Sequence, residues 1–86
     1  MPDEQPGGQV TVRYWAGARA AAGVDTDLLG ACDTVAEALA AAVALRPALA
    51  PVAEVSTLLV GGRRAAREDR LEPGALLEVL PPFAGG

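Results

Sequence analysis

Eighty-six residues make one domain at most, and a domain this small buries only about 60% of the surface its unfolded chain exposes; the apolar fraction of 51% is enough for one core. A net charge of −4 argues against a nucleic-acid binder, which needs cations to displace counterions from phosphate. Histidine is absent and Cys32 is the only cysteine, which excludes thiol or imidazole metal clusters, an internal disulfide and a Cys-His nucleophile pair.

Residues 1–8 are acidic and polar, rich in proline and glycine, and have the composition of a disordered leader. They contain no apolar run that would make a secretory signal. No stretch of the chain approaches the ~20 apolar residues of a membrane span, so a cytoplasmic protein that binds no membrane is expected. Residues 10–15 alternate and are β-branched or aromatic, which predicts a strand with Val10, Val12 and Tyr14 on one face and Thr11, Arg13 and Trp15 on the other. The alanine-rich residues 16–22 read as a short helical turn ending at Gly23. Residues 25–31 read as a returning strand, with Leu28 or Leu29 inward.

Thr34-Val35-Ala36-Glu37 is a capping box, in which the threonine oxygen accepts from the third helical amide and Glu37 reaches back to the cap amide. Val35, Leu39, Ala42 and Val43 then form one apolar stripe of a helix that Pro47 ends. Residues 48–55, with prolines at 47 and 51, are expected to be loop. A strand over 56–60 precedes a Gly61-Gly62 turn, and residues 65–71 cross the surface as irregular chain or a short strand. After the Glu72-Pro73-Gly74 turn comes a last strand over 76–80, which Pro81-Pro82 stops because proline donates no amide hydrogen. The chain therefore divides into a leader (1–8), one domain (9–80) and a C-terminal tail (81–86).

That tail is Pro81-Pro82-Phe83-Ala84-Gly85-Gly86. A carboxylate carried on two glycines has no Cβ to clash with the walls of a narrow channel, and its backbone reaches φ > 0 freely. Such an end suits insertion into another enzyme's active site as a substrate. Average glycine usage gives two terminal glycines by chance in roughly 0.5% of chains, so the diglycine argues for function only together with what precedes it.

The order strand, strand, helix, strand, strand is that of the β-grasp, or ubiquitin-like, fold, an α+β mixed sheet packed on one main helix. The tail resembles the Pro-Pro-x-x-Gly-Gly ending of the small subunit of molybdopterin synthase (MoaD type), within the MoaD/ThiS ubiquitin-like sulfur carriers. The opening strand followed by Ala16-Gly17-Ala18-Arg19, the Thr34-Val35-x-Glu37-Ala38-Leu39 helix start and the Leu71-x-Pro73-Gly74 turn fit the same family. The resemblance covers residues 10–86. It departs at two turns, where Val60-Gly61 stands for the family's Val-Asn and Pro73-Gly74 lacks its acidic neighbour.

The resemblance implies a sulfur carrier for molybdenum cofactor biosynthesis. A ubiquitin-activating-type adenylyltransferase (MoeB-like) would use ATP to adenylate Gly86. A persulfide would then leave a thiocarboxylate, and the large subunit of molybdopterin synthase would consume its sulfur. The carrier itself would hold no cofactor and no metal, and the catalytic groups would belong to its partners. Carriers for thiamin thiazole or for cysteine synthesis, and ubiquitin-like modifiers joined to lysines of other proteins, share the tail chemistry and stay open; so does a plain interaction module with an incidental diglycine.

The chain's own residues agree with a passive role. A general base could only be a carboxylate, and none stands in a recognisable constellation. Gly86 is the expected reacting residue, Gly85 serves by lacking a side chain, and Ala84 and Phe83 complete the tail. By alternation Trp15, Leu76 and Leu80 fall on the outward sheet face, where the family docks its partners; the alternative is that Trp15 tucks into the core. Arg63, Arg64, Arg67 and Arg70, interleaved with Glu68 and Asp69, read as a solvated hairpin surface, with an acidic docking site as the alternative. Cys32 reads as a small, partly buried residue, although its place before a helix start favours a lowered pKa.

Overall fold

The computed structural model describes residues 9–82; the expected leader and Phe83, Ala84, Gly85 and Gly86 lie outside them. In chain order the elements are β1 (Val10–Tyr14), α1 (Ala16–Ala22), β2 (Thr26–Leu29), α2 (Val35–Leu45), a 3₁₀ turn (Pro47–Leu49), α3 (Ala50–Val55), β3 (Thr57–Val60), β4 (Arg63–Arg64) and β5 (Leu76–Leu80). They form one mixed sheet in the order β2-β1-β5-β3-β4. The first and last strands run parallel at its centre, Val12 opposite Leu77 and Tyr14 opposite Val79. The remaining pairs are antiparallel. This is the β-grasp fold, an α+β arrangement.

Alternation builds the core. Val10, Val12 and Tyr14 of β1, Leu29 of β2, Leu58 of β3 and Leu77 and Val79 of β5 are all buried. They meet Val35, Ala38, Leu39 and Ala42 of α2, with Ala18, Leu49 and Ala53 closing the sides. Alanine supplies much of the helical side of this core.

The start of α2 shows where its free amides go. Thr34 Oγ1 accepts from the Glu37 amide at 3.2 Å, as the capping box requires. The Glu37 carboxylate reaches one residue further back than expected, to the Asp33 amide at 2.7 Å. Thr34 itself is held in an isolated antiparallel bridge with Arg70. The Val35 and Ala36 amides donate to the carbonyls of Asp69 and Arg67, so the irregular segment before β5 is pinned to the helix.

Two expectations need correction. Residues 48–55 are helical and not loop, because Pro47 and Pro51 stand in the first turns of the 3₁₀ turn and of α3. There a proline's missing N–H costs nothing and its fixed φ favours the helix. The hairpin at Gly61-Gly62 also continues into a short edge strand, β4, with φ of 60° and 80° at the two glycines, the positive values that a tight two-residue turn demands.

One carboxylate, Asp27, lies on the inner side of β2. Arg46, at the C-terminal end of α2, grips it with two hydrogen bonds of 3.0 and 2.6 Å, and the buried Tyr14 hydroxyl donates a third at 2.8 Å. The arginine holds the Asp27 carboxyl below the usual carboxylate range, against the opposing effect of burial. Burial and the carboxylate together push the Tyr14 phenol upward.

Two stability outcomes follow from these contacts. Thr34→Ala should cost about 0.5–2 kcal/mol in chemical denaturation. Because the Asp27 pKa is depressed on folding, its stabilisation is present above the unfolded carboxylate value of about 3.9 and disappears as pH falls through the folded value. Asp27→Asn should therefore lower the melting temperature at pH 7, and the gap from the native chain should narrow at pH 3. An equal gap at both values would mean that the charge contributes nothing.

Candidate functional site: the outer sheet face and the root of the tail

Among the described residues the helices pack on one side of the sheet, and the other side faces outward. The strand register orders it in three rows. At one end Leu28, Thr11 and Leu76 lie side by side; in the middle run Thr26, Arg13, Glu78, Leu59 and Arg64. At the other end, continuing the β1–β5 register sets Trp15 beside Leu80, and Leu80 opposes Thr57. Trp15 is 41% exposed and is not part of the core; Leu76 is 36% exposed and Leu80 is half-buried. The structure thus brings Trp15 and Leu80 together. Leu76 lies four residues along β5 from Leu80, about 13 Å away, beside the exposed Leu28.

β1 ends at Tyr14, one residue before the expected boundary. Trp15 caps α1 in an extended conformation, its amide donating to the Val79 carbonyl at 3.1 Å. At Ala16 φ is 47°, a left-handed value that costs a non-glycine residue about 1–2 kcal/mol. That corner turns the chain sharply into α1 and brings Gly17 against the start of the tail: a Cβ on Gly17 would lie 4.0 Å from Pro81 Cγ. The ladder stops at Leu80, and Pro81 and Pro82 follow it outside the strand.

Arg13 was named in the sequence only as an outward residue. Its guanidinium lies 4.7 Å from the centroid of the Trp15 ring. Leu59, a second outward residue, was legible in the alternation of β3, whose inward residue is Leu58. Leu28 was half-legible, since only the register decides that Leu29 points inward.

The other candidates behave differently. Arg67 donates to the Ala53 carbonyl at 3.2 Å, while Arg63 and Arg64 are exposed on the β4 edge. Cys32 donates its thiol to the Gly30 carbonyl at 3.6 Å. Its pKa is raised, by burial first and then by Glu37 and Asp33, which reverses the lowering expected from the helix start. Behind the sheet, α2 and α3 border an open groove of about 580 Å³ with an alanine-rich wall and with Glu54 and Arg67 at its rim. Among the described residues no cluster of three or more His, Cys, Asp or Glu side chains could hold a metal, and no helix is long and apolar enough to cross a membrane.

No family model matches the chain, and no curated protein matches it by sequence. Solved structures do. Small archaeal modifier protein 1 from Haloferax volcanii is 29% identical, with a TM-score of 0.84 over 92% of this chain and 100% of that one. A putative molybdopterin converting factor subunit 1 from Pyrococcus furiosus is 22% identical, with a TM-score of 0.76 over 87% of this chain and 98% of that one. In the complex of subunits 1 and 2 of the molybdopterin-converting factor from Helicobacter pylori, the matching chain is 22% identical, with a TM-score of 0.67 over 91% of this chain and 99% of that one. In fold and length the chain is similar to all three, and it has their small ubiquitin-like β-grasp fold.

Proposed function

We propose that this chain is a sulfur carrier for molybdopterin synthesis and that Gly86 is the residue that carries the sulfur. The observation that supports it most is the place of the last strand. β5 is paired on both sides at the centre of the sheet, and the Pro-Pro-Phe-Ala-Gly-Gly run follows it directly. A diglycine end is thereby tied to a rigid platform with an exposed aromatic residue at its root. The likeness to a molybdopterin converting factor subunit 1, and to such a subunit in complex with subunit 2, supports a large-subunit partner.

In this reading the Gly86 carboxylate attacks the α-phosphate of ATP in the activating enzyme, forming an acyl adenylate and releasing pyrophosphate. The terminal sulfur of a persulfide then attacks the acyl carbon and AMP leaves. A thiol cleaves the resulting acyl disulfide, and Gly86 is left as a thiocarboxylate. That sulfur is nucleophilic enough for transfer to a pterin precursor held by the large subunit. The work happens in a cytoplasmic setting, with the carrier binding no cofactor of its own.

A second reading rests on the 29% identity to a protein called a modifier. There the adenylated tail would be joined to lysines of other proteins, and covalent adducts in cells would separate the two.

Docking is tested first. Trp15→Ala and Leu80→Ala should each weaken binding to the large synthase subunit about tenfold or more, as the loss of a central aromatic or apolar anchor does. Native circular dichroism with unchanged calorimetric affinity for both variants would remove this face from the account.

The chemistry is tested on the intact mass. With activating enzyme, ATP and a sulfur source, one terminal oxygen should be replaced by sulfur. Deleting Gly86, or adding one residue after it, should abolish the change, since the carboxylate is then displaced by roughly 3.3–3.6 Å of extended chain. Thermal unfolding should hardly move. Equal thiocarboxylation of the extended chain would sink the reading.

A further inference from the structure

We propose that Arg13 is a specificity-determining residue of the docking face, one that admits only a partner carrying a carboxylate at the rim of the pocket that receives Trp15. The inference rests on the carrier reading above, and the partner it addresses is the ATP-dependent activating enzyme, which every version of that reading requires.

Arg13 and Trp15 are two residues apart on the outward side of the first strand, and the guanidinium sits over the indole at 4.7 Å. That is within the ~6 Å range in which a cation is attracted to the face of an aromatic ring. The ion pairs among the described residues join Arg19 to Asp25 and Arg46 to Asp27, and none engages Arg13. Glu78 stands opposite Arg13 in the register of β1 and β5, yet the guanidinium lies over the ring and not against that carboxylate.

A partner that covers the indole therefore covers the guanidinium as well. An arginine cannot escape burial by losing its proton, and an unpaired buried charge is costly. The partner must supply the missing anion, and the planar fork of the guanidinium favours a carboxylate that accepts two parallel hydrogen bonds. A surface with an apolar pocket but no acidic rim is rejected by the uncompensated charge, which is specificity by exclusion. The chain's net charge of −4 repels partners that are acidic overall. The complement is accordingly local: one carboxylate beside an apolar pocket. Arg64, in the same cross-sheet row beyond Glu78 and Leu59, lies too far along the sheet to substitute for Arg13.

The test is the dependence of adenylation on carrier concentration, followed as pyrophosphate release by the activating enzyme at low and high salt. Arg13→Leu should raise KM about tenfold or more and leave kcat unchanged, because the lost contact is one of docking and not of chemistry. Arg13→Lys should recover only part of the loss, since an ammonium does not offer the fork. Added salt should raise the native KM more than that of Arg13→Leu. Trp15→Ala serves as the control for the face itself, and melting temperatures confirm that each variant is folded. If Trp15→Ala raises KM but Arg13→Leu matches the native chain at both salt concentrations, the inference is wrong and the docking face stands. If neither variant changes KM, the face and the inference fall together. If the native chain is not adenylated at all, the carrier reading falls and takes this inference with it.

Discussion

The rest of the structure depends on the parallel pairing of the first and last strands. Parallel neighbours cannot be joined by a tight turn, so everything between them must make a long crossing, which here carries the helices over one side. The same pairing puts β5 between β1 and β3, with hydrogen bonds on both edges. A strand held on both sides frays less than an edge strand, and its end is therefore a firm origin for whatever follows. It also sets Leu80 beside Trp15, so the apolar corner and the root of the tail are one place because of one register.

A core this rich in alanine leaves polar groups on the inner side little room for error. Asp27 would be a liability between β2 and α2 if it stood alone, since a carboxylate removed from water needs compensation. Arg46 and Tyr14 supply it from the end of a helix and from the neighbouring strand. The grip ties three elements together at the end of α2 opposite the capping box. One end of the main helix is thus fixed by backbone carbonyls and a threonine, the other by a part-buried charge pair.

Alternation and capping made most of this legible from the sequence. Val10, Val12 and Tyr14 announced both faces of β1, and Thr34 with Glu37 announced the start of α2. What failed was the meaning of proline. Pro47 does end α2, but it also begins the next turn, and Pro51 begins α3, since the geometry that forbids proline inside a helix favours it at the start. The Asp27–Arg46 pair spans 19 residues, and no local pattern reveals a partner at that distance. Arg13 was placed on the correct face, but its stacking on Trp15 depends on a side-chain conformation that alternation does not encode.

In the carrier reading the reacting group has no side chain, and this decides where recognition must lie. A glycine carboxylate looks alike on every diglycine tail, so an enzyme cannot tell one carrier from another by the atom it modifies. The domain has to supply the difference, through residues far enough from Gly86 to leave the channel clear and near enough to orient it. In this reading the outward corner at Trp15, Arg13 and Leu80 is where that difference lies, since the last strand ends at Leu80 beside it and Pro81 follows.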